Sequence, residues 1–231
     1  MAFTSSDLPL QGTHAQAHTS RLPRNTAKGL YANGGKRLLD IVLVVLLLPI
    51  AIPVIVACAF LLVASGSSPF FAQTRIGRHG KVFRIWKLRT MHADAEQRLN
   101  AILAADGNLR AEWDDKQKLR NDPRITKFGH ILRQTSLDEL PQLLNVLRGD
   151  MSLLGPRPML PEQRSLYGAS LPVYLALRPG ISGLWQVTER NDASFEQRAR
   201  IDATYGATLS FANDLRLVWK TVLVVLCRRG I

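Results

Sequence analysis

The chain has 231 residues, 30 Lys plus Arg against 18 Asp plus Glu, and a formal net charge of +12. That length holds one domain with a real core, or a domain plus a membrane element. The charge balance points to anionic partners, whether nucleic acid, phosphorylated substrates or an anionic membrane face. The two cysteines, Cys58 and Cys227, argue against a disulfide framework or a zinc site.

Residues 1–33 are polar and lack an apolar run, so they read as a disordered tail. His14 and His18 within it are weak signals for metal. The first apolar segment arrives too late for an ordinary secretory signal peptide.

That segment is "IVLVVLLLPIAIPVIVACAFLLVA", 24 residues from Ile41 to Ala64 without a charge. It is long enough to cross a hydrocarbon core of about 30 Å. Two features favour entry and return through one leaflet instead. Both flanks are basic (Lys36 and Arg37 before, Arg75, Arg78, Lys81, Arg84, Lys87 and Arg89 after), so the positive-inside rule is met when both ends stay on the cytoplasmic face. Pro49 and Pro53 lie in the interior, where each removes a backbone donor and predicts a bend between two helical halves. Asp40 is spaced to pair with Lys36 or Arg37 near the lipid headgroups. A plain spanning helix is the alternative.

"FFAQTRIGRHGKVFRIWKLRTM" follows from Phe70. Gly77 to Gly80 reads as a turn between two extended arms, and Val82 to Leu88 alternates between apolar and basic residues. That basic face either carries cations to phosphates or is simply solvated. Residues 93–105 and 109–120 have helical character, with a stop at Asn121 to Pro123. Phe128, Ile131 and Leu132 can form one apolar helical face.

Two adjacent acids, Asp138 and Glu139, come next in "LRQTSLDELPQLLNV". A helix N-terminus stabilises anions, and Ser136 with Glu139 three residues later fits a capping box. Then Pro156 and Pro158 hold Arg157 extended and stiff, suited to a fixed phosphate contact or to a salt bridge with Asp150. "LRPGISGLWQVTERND" is too short of periodicity to be core; Trp185 is expected to pack under this loop. A helix resumes from Phe195 to about Tyr205. In "NDLRLVWKTVLVVLCRRGI", Asp214 is a plausible cap for a helix too short to span, which lies either at a membrane interface or in the core. No Walker loop, GxGxxG or nucleic-acid recognition module is present.

Taken together, "KRLLDIVLVVLLLPIAIPVIV", "QTRIGRHGKVFRIWKLRTM", "DPRITKFGHILRQTSLDELPQLLNVLRGDMSLLGPRP", "RPGISGLWQVTERN" and "NDLRLVWKTVLVVL" resemble the bacterial sugar transferases, the monotopic phosphoglycosyl transferases of the exopolysaccharide-initiating type. The resemblance runs from Lys36 to the C-terminus. It implies a predominantly helical α+β fold with a short hairpin, interfacial amphipathic helices and a re-entrant membrane helix over residues 34–68. A cytoplasmic catalytic domain would follow over 69–231, with both termini on the cytoplasmic side of a bacterial inner membrane.

The implied reaction moves a sugar 1-phosphate from a UDP-sugar to polyprenyl (undecaprenyl) phosphate, releases UMP, and depends on Mg²⁺. By motif, Asp138 and Glu139 are the catalytic and metal-holding dyad, and Arg133, Arg157 and Arg190 the phosphate contacts. Pro49 and Pro53 mark the membrane-helix break. The family's Ser-Pro step is Ile52-Pro53 here, and Glu189 stands where the family usually has glycine. "GLWQV" points to UDP-galactose or UDP-glucose. Downstream glycosyltransferases or a second copy are further candidate partners, and nucleic acid is not expected. The rival reading is a non-catalytic polyprenyl-lipid-binding assembly protein of the same fold.

Overall fold

The computed structural model describes residues 29–188 and 193–227. Most of the tail expected over 1–33, and Glu189 and Arg190, lie outside those residues. The fold is mostly helical, with two small two-stranded sheets.

A π-helical turn at Tyr31–Gly35 leads into α1, Lys36–Ala64, so helix begins before the expected boundary at residue 34. Helical structure continues through Pro49 and Pro53, so any bend there is taken within one helix. Asp40, Val44, Ala51, Cys58 and Leu62 are buried. Their spacing of four and seven residues makes a single stripe along the helix. Val44 and Ala51 pack with Phe83, Ile85, Leu143, Val146 and Met151. Cys58 and Leu62 pack with Leu88 and Leu132. The opposite face, including Leu46, Ile50, Val56 and Phe60, is exposed.

β1 (Phe70–Ile76) and β2 (Val82–Leu88) form the expected antiparallel hairpin, with Arg75 opposite Phe83 and Phe71 opposite Lys87. The turn carries positive φ at His79 and Gly80. α2 (Ala95–Ala105) and α3 (Gly107–Lys116) follow as a peripheral pair. The stop after them is tied by the buried Asp122–Arg124 ion pair at 2.6 Å. In α4 (Lys127–Gln134), Leu132 is buried and Phe128 packs beside it, but Ile131 is exposed, so the expected three-residue face holds only two.

α5 (Leu143–Arg148) ends at Gly149, whose positive φ fits a left-handed cap. β3 (Ser152–Leu154) pairs in parallel with β4 (Gly180–Ser182), and α6 (Leu171–Ala176) lies in the crossover between them. The stretch expected to lie outside the core is therefore strand β4 followed by α7, Leu184–Thr188. Glycine is what makes this possible. A Cβ on Gly180 would stand 2.1 Å from the Gly155 amide, and one on Gly183 would stand 2.4 Å from the Gly155 carbonyl. Backbones that approach this closely leave no room for side chains, and without side chains no periodicity is written.

α8 (Phe195–Ala207) starts at a capping box of Ser194 and Gln197. α9 (Phe211–Leu226) is capped by Ser210 and not by Asp214, which is fully buried in its first turn. Asp214 accepts from the Tyr31 hydroxyl at 2.6 Å and from Lys36 Nζ at 2.8 Å, and the Tyr205 hydroxyl lies 2.9 Å from its other oxygen. Asp40 is likewise buried. It accepts from the Ser152 hydroxyl and the Leu153 amide and lies 4.0 Å from Lys36 Nζ. These acids fasten the start of α1 to the domain. On α9, Phe211, Leu215, Trp219 and Val222 are exposed and recur at three- and four-residue spacing. That apolar face is not in the core, which favours the interfacial alternative for this helix.

Candidate active site

The sequence Leu137-Asp138-Glu139-Leu140 explains the local geometry. It forms a 3₁₀ turn, Leu137–Gln142, in which residues three apart share a side. Leu137 packs into the cluster holding Cys58 and Leu62, and Leu140 into the one holding Val44 and Ala51. The two leucines thus seat the turn on α1, and the acids between them reach toward β2. The expected capping box is absent: Ser136 has φ 57° and its side chain makes no capping bond. The left-handed Ser136 redirects the chain after α4, so its hydroxyl is not placed for the cap that the local pattern suggested.

On the facing strand, Lys87 Nζ lies 2.6 Å from Glu139 Oε1 and 3.7 Å from Asp138 Oδ2. Asn145 sets this register. Its side chain accepts from the Trp86 amide at 3.2 Å and donates to the Arg84 carbonyl at 2.8 Å, clamping α5 onto β2. Burial, the largest influence on Asp138, pushes its carboxyl above the usual aspartate range; Lys87 opposes this and Glu139 adds to it. Burial also raises Glu139, but Lys87 and Arg157 together outweigh it and hold Glu139 below the usual glutamate range. One neutralising ammonium is thus shared unequally, in favour of the nearer acid.

Arg157 Nη1 is 3.9 Å from Glu139 Oε1, and its guanidinium stands over the Trp185 ring. Trp185 is buried beneath, as expected. Asp150 is not the partner that the sequence suggested; it accepts from the Asn145 side-chain amide at 3.4 Å. The Pro156–Pro158 loop is held by its backbone. The Gly180 amide donates to the Pro156 carbonyl and Arg75 to the Pro158 carbonyl, each at 2.8 Å. Nearby, Asp202 is a buried carboxyl that accepts from the Tyr167 hydroxyl at 3.2 Å; burial raises its proton affinity, opposed by Tyr167 and Arg157. Arg133 donates from Nε to Thr90 Oγ1 at 3.0 Å. Burial lowers its affinity for protons, with Asp138 the strongest opposing influence.

The structure therefore brings Asp138, Glu139, Arg133 and Arg157 into one electrostatic neighbourhood, while Arg190 lies outside the described residues. Sequence reasoning missed Lys87, Asn145 and Asp202 as individual site residues. The basic alternation of β2 was the one available signal, and it pointed to Lys87 among several cations. Among the described residues no three His, Cys, Asp or Glu side chains cluster as a metal cage. Asp138 and Glu139 supply hard oxygens, and a small cleft beside them is lined by Arg75, Lys87, Glu139, Gln142 and Arg157.

The raised Asp138 carboxyl has a testable consequence for stability. The fold binds its proton more tightly than the unfolded chain does, so stability from this group falls as pH rises from its unfolded value through its folded one. Asp138→Asn mimics the protonated acid. In metal-free buffer its thermal midpoint is expected to match or exceed wild type at neutral pH, the gap closing as pH is lowered. A midpoint well below wild type at neutral pH would show that the carboxylate is stabilised by its surroundings.

Comparison with known proteins places the chain in a family. The bacterial sugar transferase family matches residues 31–228. The chain is 43% identical over 195 residues to the undecaprenyl-phosphate galactose phosphotransferase of Salmonella typhimurium, covering 84% of this chain and 41% of that protein. It is 41% identical over 196 residues to the UDP-glucose:undecaprenyl-phosphate glucose-1-phosphate transferase of Caulobacter vibrioides, covering 81% and 68%. It is 38% identical over 196 residues to the exopolysaccharide production protein ExoY of Sinorhizobium fredii, covering 84% and 87%. The match thus spans about two fifths of the Salmonella protein but most of the Sinorhizobium one. With a match over nearly all of its described length, and with the paired acids, the proline-flanked arginine and the apolar helix in one arrangement, this chain belongs to the bacterial sugar transferase family.

Proposed function

We propose that the chain transfers a sugar 1-phosphate from a UDP-sugar to polyprenyl phosphate at the cytoplasmic face of a bacterial inner membrane, releasing UMP and starting exopolysaccharide assembly. The observation that carries this reading is the Asp138–Glu139 pair, the first buried and the second half-buried, bridged by Lys87, flanked by Arg157 and seated directly on an apolar helix. A water-soluble donor and a lipid acceptor require a site at such a boundary. The names of the Salmonella and Caulobacter relatives, for galactose and glucose, agree with a hexose donor.

In this scheme Asp138 attacks the phosphorus bearing the sugar, UMP leaves, and the phosphosugar rests on the Asp138 carboxyl until the lipid phosphate displaces it. An aspartate is a competent nucleophile toward phosphorus. Lys87 and Arg157 offset the charge that both reactants bring, and the backbone ties of the Pro156–Pro158 loop fix Arg157 before substrate arrives. Asp138 and Glu139 also fit Mg²⁺, which takes one or two carboxylates and fills its other positions with water and substrate phosphates. When bound, it supplies charge neutralisation at the phosphates.

The test is UMP release by purified protein given polyprenyl phosphate, Mg²⁺ and a panel of UDP-sugars. Release with UDP-galactose or UDP-glucose is the expected result. No release across the panel with a verified acceptor would favour the lipid-binding assembly protein, and activity with only an N-acetylated sugar would overturn the hexose preference.

The topology reading, that α1 enters and leaves one leaflet, is supported by its buried stripe. Contacts to the same domain begin at Asp40 and end at Leu62, near the two ends of the apolar stretch. A spanning helix would carry one of those ends away from the domain. Pro49 and Pro53 are both exposed and sit four residues apart on the side away from the stripe. A proline opens the helix on its own side, so both favour curvature toward the domain. Single cysteines at Ala32 and Ser67, in a background with Cys58 and Cys227 replaced, are expected to react with an impermeant reagent only once the cytoplasmic face is opened. Labelling from opposite sides would establish a spanning helix.

A further inference from the structure

The cleft beside the dyad holds a cation that the dyad and the Arg157 loop do not account for. Arg75 lines it together with Lys87, Arg157 and Glu139, so three cations meet one carboxylate on its walls among the described residues. Lys87 is already committed to the acids at 2.6 and 3.7 Å. Arg75 makes no ion pair among the described residues. Its Nη1 donates to the Pro158 carbonyl at 2.8 Å and its Nη2 to Gln73 Oε1 at 2.6 Å, both neutral acceptors. Its Nε is buried and has no hydrogen-bond partner.

Burial first, and then repulsion from Arg157, push the proton affinity of Arg75 down to about 10. Holding a carbonyl in place needs only one of the five N–H donors of a guanidinium, and a neutral donor would do it without desolvating a charge. A charged fork kept beside a second guanidinium, with no carboxylate of its own, is suited to an anion that both can grip.

We propose that Arg75 is a phosphate-contacting residue of this site, holding a substrate phosphate oxygen across the cleft from Arg157; this rests on the transferase reading above. The phosphate belongs either to the UDP moiety of the donor or to the lipid acceptor, and both present the same oxygens to a guanidinium.

The experiment uses the full chain in detergent and compares ligands that differ only in phosphate: UDP against uridine, and a short polyprenyl phosphate against the matching polyprenol. In Arg75→Gln, equilibrium titration is expected to show roughly tenfold or greater loss of affinity for a phosphorylated ligand, as for one lost charge-assisted hydrogen bond, with its phosphate-free counterpart unchanged. A selective loss on UDP assigns the contact to the donor; a selective loss on polyprenyl phosphate assigns it to the acceptor. Equal losses on phosphorylated and phosphate-free ligands would reduce Arg75 to a fastener of the Pro158 loop, and unchanged affinities would remove it from the site; either overturns the proposal. Should Arg75→Gln fail to fold, Arg75→Lys is read in the same way, since an ammonium keeps the charge but loses the fork. Wild-type protein that releases no UMP would sink the transferase reading itself. Wild-type release together with a phosphate-indifferent Arg75 variant would sink only this inference.

Discussion

Asp138→Asn is expected to abolish turnover, by roughly a thousandfold or more, as the loss of a group that reacts covalently does in other enzymes. The substitution keeps size and shape and removes only the ionisable carboxyl proposed as the nucleophile. It is also a gentle change to the fold, because burial already favours the uncharged form of this carboxyl. Intact-protein mass after mixing wild type with UDP-sugar and Mg²⁺, without acceptor, should rise by one sugar phosphate, located on Asp138 by peptide mapping. Asp138→Asn should show neither the adduct nor UMP release.

Glu139→Gln separates the two acids. It leaves Lys87 without its 2.6 Å partner and weakens metal handling, so turnover should fall steeply while trace adduct persists. An adduct that hydrolyses quickly would escape the mass measurement, so single-turnover kinetics must accompany it. Near-normal turnover in Asp138→Asn would refute the nucleophile assignment and shift the chemistry to direct transfer.

The second large effect is structural. Asp214→Ala removes the acceptor shared by Tyr31, Lys36 and Tyr205 at a position with 0% exposure. Lys36, whose side chain is only 14% exposed, is left with Asp40 at 4.0 Å. Breaking a buried pair from one side costs about 3–5 kcal/mol, because the remaining charge stays desolvated. For a domain of this size that corresponds to a thermal midpoint lower by roughly 6–20 °C, measured in one detergent for all variants. Adding Lys36→Met to Asp214→Ala should recover part of the loss, since it removes the stranded charge. A loss below about 1 kcal/mol would mean that water reaches the cluster and offsets the missing partner.

The local physics of the chain was sufficient for the elements whose side chains report their surroundings. The hairpin around Gly77 to Gly80 follows from alternation and turn residues. The apolar helix from Ile41 to Ala64 and the helix from Phe195 follow from composition and periodicity. The dyad, Arg133 and Arg157 were legible as motif positions in order along the chain. What sequence could not supply was the set of contacts between distant segments. Lys87 meets Glu139 across 52 residues, Asn145 clamps the Trp86 amide across 59, and Lys36 reaches Asp214 across 178. Each of these residues reads locally as something bland: a basic strand position, a polar residue in a helix, a cap.

Tertiary demands also overruled local preference. Ser136 and Glu139 spell a capping box, yet Ser136 is left-handed, in a turn that seats Leu137 and Leu140 on α1. Ser194 and Gln197 have the same three-residue spacing, and there the box forms, because Ser194 takes the extended backbone that an N-cap needs. β4 was invisible because Gly155, Gly180 and Gly183 let two backbone segments meet with no side chain to record the contact. The sequence by itself determined the hairpin, the long apolar segment and most of the helices, because those depend on neighbours a few residues apart. Only the tertiary structure decided which charges face one another, because a buried ion pair is set by where two remote backbones come to rest.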